Sequence, residues 1–247
     1  MSKGASYGLI AVIAIALVGA GVYAYVISPT KAPSAMVDDR TGGAAMTGGV
    51  MTGGNAMNAS GTAAMPAMND GKYHIVAEQS KASFSLEEDL RGTHITVTGV
   101  TSQVSGAVKA DRTNLTAIQL DPIRINARTF VTDNESRNNA IRRMILKTED
   151  DANEFIEFIP KSVTDVPATA DVGQAFPFKV VGDLKVSGTT KEVTFTGTAK
   201  FVSDTQLSGT AETKVHYPDF GVTVPNLPFL ANVDQDTTLK IEFVAQK

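Results

Sequence analysis

The chain has 247 residues, a formal net charge of −4, and 43% apolar and 19% charged residues. That balance is ordinary for a folded protein, but no basic stripe exists to displace phosphate counterions, which excludes nucleic acid as a main partner. Cysteine is absent, which removes disulfides, thiolate metal sites, a cysteine nucleophile and a lipid-modified cysteine.

From Gly8 to Ile27 the chain carries no charge and is rich in Ala, Val, Ile, Leu and Gly. Twenty residues at a 1.5 Å rise span about 30 Å, the thickness of a bilayer's hydrocarbon core. Tyr7, Tyr23 and Tyr25 lie near its ends, where amphipathic rings favour the interface, and Lys3 ahead of it places the N-terminus in the cytoplasm. Residues 1–28 therefore read as a transmembrane anchor. The rival reading is a cleaved signal peptide with Val22 and Ala24 as its small residues. Either way the remainder is exported: a single-pass membrane protein with an extracytoplasmic domain, or a secreted one after cleavage.

Residues 29–71 form a disordered linker by composition. Met-Thr-Gly-Gly repeats at Met46–Gly49 and Met51–Gly54, and little large apolar surface is present to offset the entropy of ordering. The spaced methionines (Met36, Met46, Met51, Met57, Met65 and Met68) read as filler in a tether rather than as soft-metal ligands.

At Lys72 the pattern changes to period-two alternation, and residues 72–247 form one domain. Phe84, Leu86 and Leu90 share one parity, as do Phe176, Phe178, Val180, Leu184 and Val186. The pattern recurs in Val193, Phe195, Ala199 and Phe201, in Leu207, Ala211, Val215 and Tyr217, and in Leu239, Ile241 and Phe243. Strands with one wet and one buried face belong to antiparallel sheets. Tight connections are expected at Gly188–Thr190 and at Ser203-Asp204, and the whole points to an all-β barrel or sandwich. Asp133 to Leu146 departs from this pattern. With a capping residue at its start and Ile141, Met144 and Ile145 at i, i+3, i+4, it reads as the domain's one helix. Glu149–Asp151 reads as a solvated loop.

No catalytic constellation is present: no G-x-S-x-G elbow, no phosphate loop and no dinucleotide fingerprint. The chain is expected not to be an enzyme. His74, His94 and His216 are too dispersed to suggest zinc, so neither a metal nor a cofactor is expected. Glu88 is the one charged residue with inward parity. It requires a bulge that turns it outward, an internal ion pair with an arginine, or a role as polar anchor in a cavity. Thr213 and Tyr217 share the inward parity of their strand. Gly99, Gly106, Gly182, Gly197 and Gly209 also fall on inward positions, where glycine marks either a cavity or a bend.

Four strings in register resemble the YceI-like family of exported, lipocalin-like barrels. They are Arg91-Gly92 through Gly106, Thr132-Asp133 through Phe158, Val181-Gly182-Asp183-Leu184 through Phe195, and Asp219-Phe220-Gly221-Val222 with Asp236–Phe243. The chain departs from the family pattern at Asn138 (Asp), Glu154 (Pro), Lys185 (Thr) and Tyr217 (Arg). The resemblance implies an antiparallel lipocalin-like β-barrel with one helix, and a polyisoprenoid, an isoprenoid quinone or another lipid threaded through it. The apolar liners expected are Phe84, Leu86, Phe130, Ile141, Ile145, Ile156, Phe158, Phe178, Leu184, Phe195 and Phe201, with Glu88, Thr213 and Tyr217 as polar ones. The partners expected are that ligand and the membrane, with a homodimer left open. The alternative function is a structural or protein-interaction module whose barrel core is filled.

Overall fold

Alternating apolar and polar residues make a strand that buries one face, and here the buried faces curl into a ring. The computed structural model describes residues 30–34, 70–225 and 230–247. The apolar run, the methionine repeats and most of the linker lie outside the described residues. Among the described residues no helix is long and apolar enough to cross a membrane.

Thirteen strand segments build eight staves. The first is β1 (Tyr73–Ile75) with β2 (Lys81–Leu90); the second joins β3 (Thr93–Thr101), β4 (Val104–Ser105) and β5 (Ala107–Lys109). The third is β6 (Gln119–Leu120) with β7 (Ile123–Asn126), followed by β8 (Phe155–Thr164), β9 (Ala175–Val186), β10 (Thr189–Ser203) and β11 (Gln206–His216). The short β12 (Leu230–Ala231) lies against β2, and β13 (Asp236–Gln246) is the eighth stave. Every stave pairs antiparallel with the next in sequence, and β13 returns to β1 and β2, which closes the ring.

Two hairpins turn through consecutive residues with positive φ, Arg91-Gly92 (53°, 81°) and Ser187-Gly188 (46°, 82°). This is the type I′ geometry that matches the twist of the flanking strands. The expected turn at Gly188–Thr190 is therefore shifted: Thr189 and Thr190 already belong to β10. The turn expected at Ser203-Asp204 likewise falls on Asp204-Thr205.

At one end the ring is split, because the outer part of β3 pairs only with β2. Residues 127–154 fill that split. Val100 and Val131 exchange both backbone hydrogen bonds at 2.9 Å, and Ser187 Oγ donates to the Leu146 carbonyl (3.0 Å). The helix in this insert starts one residue later than its acidic signal suggests. Asn134 caps it by accepting from Arg137 N (3.0 Å), while Asp133 pairs with the Arg137 guanidinium. α1 (Glu135–Ala140) continues as a π-helical turn (Ile141–Ile145), closed by Leu146 N to Ile141 O at 2.8 Å.

Arg128, with a side chain only 2% exposed, clips the two ends of the insert together. It donates to Thr148 O (2.8 Å), Glu154 Oε2 (2.7 Å) and Asp151 Oδ1 (2.6 Å). Residues 30–34, expected to belong to the disordered linker, lie on this cluster. Lys31 donates from its backbone to Glu149 (3.1 Å) and from its ammonium to Asp151 (2.5 Å). Ser34 donates through N and Oγ to Glu154 Oε1, both at 2.7 Å. Glu149 and Asp151 are thus anchoring groups, where a merely solvated loop was expected.

Burial raises the affinity of Glu154 for a proton. The hydrogen bonds from Ser34 and Asn126 and the charge of Arg128 outweigh it, holding the carboxyl below its ordinary value of 4.5. A folded-state pKa below the unfolded one means stability that is complete above that ordinary value and lost as pH falls through the folded pKa. Glu154→Gln should cost about 2 kcal/mol or more at pH 7, since it leaves a buried guanidinium short of charge. Urea denaturation should show the deficit shrinking on acidification below about pH 4.5, where the wild-type carboxyl itself protonates.

Candidate functional site

The ring surrounds a cavity of about 1300 Å³. At roughly 30 Å³ per heavy atom, a water molecule's share of its liquid, the space takes about forty carbon-sized groups. The barrel core is therefore not filled, as the interaction-module alternative requires. Its floor is a packed cluster of Tyr73, Phe176, Phe201, Leu207 and Ala245. Its other end is bounded by the β2–β3 tip (Leu90, Arg91, Thr93), the start of α1 (Asn134, Ser136, Arg137) and the segment Val222–Pro225 with Leu230 and Val233.

Cross-strand pairing explains why the interior stays hollow. Phe84 lies opposite Gly99, Phe178 opposite Gly197, and Phe243 opposite Gly209. Each ring lies across its glycine, so that a Cβ on Gly99 would meet the Phe84 ring at 2.3 Å, and one on Gly197 or Gly209 the facing ring at 2.8 or 2.7 Å. Phe158 covers Gly182 in the same way, at 2.6 Å. Rings laid along the wall leave free the space that they would occupy if they stood upright. Four of the five inward glycines are thus seats for phenylalanine, while Gly106, at φ 150° between β4 and β5 and facing Ile123, marks a break in its stave.

Ten of the eleven expected apolar residues line the cavity: Phe84, Leu86, Phe130, Ile141, Ile145, Ile156, Phe158, Phe178, Leu184 and Phe195. Phe201 does not. It has the inward parity of β10 but lies below the lumen, fully buried, stacked on Phe176 (5.8 Å between centroids) and tilted against Tyr73 (5.9 Å). Thr213 also fails to line it. It pairs with Leu239, and the longer side chains of Leu239 and Val215 form the wall there, while Thr213 borders a shallow polar depression with Lys191 and Asp219. Alternation did not reveal Val222, Val224, Pro225 and Val233, because they lie outside the long strands; the apolar spacing of Val222 and Val224 was the only local signal.

Among the described residues, charged side chains enter the lining only at the split end, as Glu88, Arg91 and Arg137. Glu88 is 7% exposed and faces inward without a bulge, in register with Ile95. Its Oε1 accepts from Arg137 Nη2 at 3.2 Å, so it has an arginine partner and also borders the cavity. The Tyr217 phenol lines the same space, its pKa raised by burial and by the charge of Asp234, so it stays a neutral donor. Among the described residues no group of three or more His, Asp or Glu side chains is arranged to hold a metal ion.

A family model described as a YceI-like domain matches residues 73–245. No curated protein sequence matches the chain. The crystal structure of BcnA from Burkholderia cenocepacia superposes with a TM-score of 0.55 at 15% identity, over 70% of this chain and 99% of that one. A polyisoprenoid binding domain from Saccharophagus degradans, implicated in plant cell wall breakdown, gives 0.56 at 16% identity, over 70% and 97%. At these identities the likeness is one of fold.

Two expectations follow from the geometry. Gly197→Ala drives a methyl into the Thr210 carbonyl at 2.0 Å and should cost about 3 kcal/mol, whereas Gly99→Ala meets only a ring that can swing into the lumen and should cost about 1 kcal/mol or less. Thermal melts of the two variants compare them directly. Arg137→Met strands a buried carboxylate and should cost about 3 kcal/mol; adding Glu88→Leu should recover most of that loss in a denaturant titration.

Proposed function

The chain belongs to the YceI-like family, and from that premise we propose that it is a non-catalytic carrier or sequestering protein for a long apolar ligand. That ligand is a polyisoprenoid, an isoprenoid quinone or another lipid. The observation that carries the reading is the cavity: about 1300 Å³, apolar from its aromatic floor to near its charged rim. Forty carbon-sized groups correspond to roughly eight five-carbon units. Burial contributes about 0.8 kcal/mol per CH₂-sized group, so a chain filling even half the space offsets the entropic cost of association. Methyl-branched hydrocarbon offers no hydrogen bonds, so selection rests on length and girth.

The distribution of charge orients the ligand. Its apolar tail points to the Phe176 floor, and its polar end stays beside Glu88, Arg91, Arg137 and the Tyr217 hydroxyl. Among the described residues, the charged ones in the lining are two arginines and one carboxylate. A buried carboxylate already engaged by a guanidinium is a poor general base, which supports binding without chemistry. The polyisoprenoid binding domain from Saccharophagus degradans shares the fold and supports the ligand class. In this reading residues 1–28 anchor the chain in the membrane, with residues 72–247 on its extracytoplasmic side.

The chain from Thr30 onward, purified without detergent, should carry an extra mass in native mass spectrometry that organic extraction removes. The stripped protein should bind added polyprenol, and Val215→Trp, which crowds the lumen, should weaken that binding about tenfold or more, or about 1.4 kcal/mol. A protein that arrives empty and ignores both polyprenols and quinones would overturn the carrier reading.

A further inference from the structure

The cluster around Arg128 and Glu154 has a second occupant, and its position in the chain matters. Lys31, Ala32 and Ser34 make polar bonds to the insert and to Asn126 at the end of β7. Besides the four donated by Lys31 and Ser34, the carbonyls of Ala32 and Ser34 accept from Arg128 Nη1 (3.4 Å) and Asn126 Nδ2 (3.5 Å). Their main receptor is a carboxylate only 5% exposed, Glu154, which spends one oxygen on Arg128 and the other on Asn126 and Ser34.

Ile27 ends the apolar run, and Lys31 is four Cα steps further on, at most about 14 Å away. A free tether of residues 29–71 would instead hold the barrel at a root-mean-square distance of about 35–40 Å. We propose that Lys31–Ser34 form a clasp that seats the barrel, insert side first, against the bilayer surface, so that residues 35–69 do not set its distance from the membrane. The inference rests on the reading of Gly8–Ile27 as a membrane span. It brings the insert, whose Ile141, Met144, Ile145 and Leu146 are one wall of the cavity, next to the lipid that supplies the ligand.

The test uses the full chain in phosphatidylcholine vesicles. Because the protein lacks cysteine, Ala152→Cys on the exposed surface beside the clasp accepts a single donor fluorophore, and acceptors sit on lipid headgroups. A twenty-residue Gly/Ser insertion between Pro29 and Thr30 adds about 25 Å of root-mean-square span and should lower energy transfer by roughly half or more. The same insertion between Gly49 and Val50, beyond the clasp, should leave transfer unchanged. In the chain carrying the insertion at 49–50, Lys31→Glu with Ser34→Asp should lower transfer as the first insertion does, with the barrel's melting curve confirming that it stays folded. If both insertions act alike while the protein resists alkaline carbonate extraction, the clasp is overturned and the membrane reading stands. If carbonate releases the protein, the membrane reading fails and takes the inference with it.

Discussion

A ring of eight strands encloses a space that its own side chains can just fill, so whether it is hollow depends on how its largest residues lie. Here four phenylalanines cross to the neighbouring strand and lie over a glycine. Each contact is held from both sides: without the glycine the ring must rise into the lumen, and without the ring the glycine is a weak point in a strand. The register of β2 with β3, of β9 with β10 and of β11 with β13 sets three of these seats. The hollow interior is thus a consequence of strand pairing.

The polar groups follow the same economy of position. Two arginines work at the junction between the ring and the insert that fills its split. Arg128 bonds the two ends of the insert to each other, and Arg137, on α1, reaches across to Glu88 on β2. Both carry charge in places where an unpaired charge would be costly, and both have a carboxylate partner from another element. The insert is held to the ring by the Arg137–Glu88 pair, by Asn126 donating to Glu154, by the Val100–Val131 bridge and by Ser187, while its apolar face joins the cavity wall. One face therefore needs strong polar anchoring so that the other can stay bare.

Much of this was legible in the chain. Phe84, Leu86, Phe178, Leu184 and Phe195 face the lumen, as alternation indicated, because a strand's side chains have no freedom to choose faces. The helix was legible from the spacing of Ile141, Met144 and Ile145, though not its π-helical second half. Phe201 shows where parity stops: it gives direction across the sheet but not height along the barrel, and Phe201 sits below the cavity in the floor. Thr213 shows the same limit for reach. Residues 30–34 look like linker because Lys-Ala-Pro-Ser has no apolar surface to bury, and polar docking leaves no periodicity to read.

By itself the sequence determined which faces turn inward, the position of two hairpins to within about a residue, that one helical stretch interrupts the strands, and that an apolar run precedes the domain. All of these are local properties, set by residues a few positions apart. Only the tertiary structure decided that the interior is hollow, that Glu88 is met by Arg137, 49 residues away, and that Ser34 docks on Glu154 across 120 residues. These depend on which strands become neighbours and in what register, and ring closure is a property of the whole chain that no window of the sequence contains.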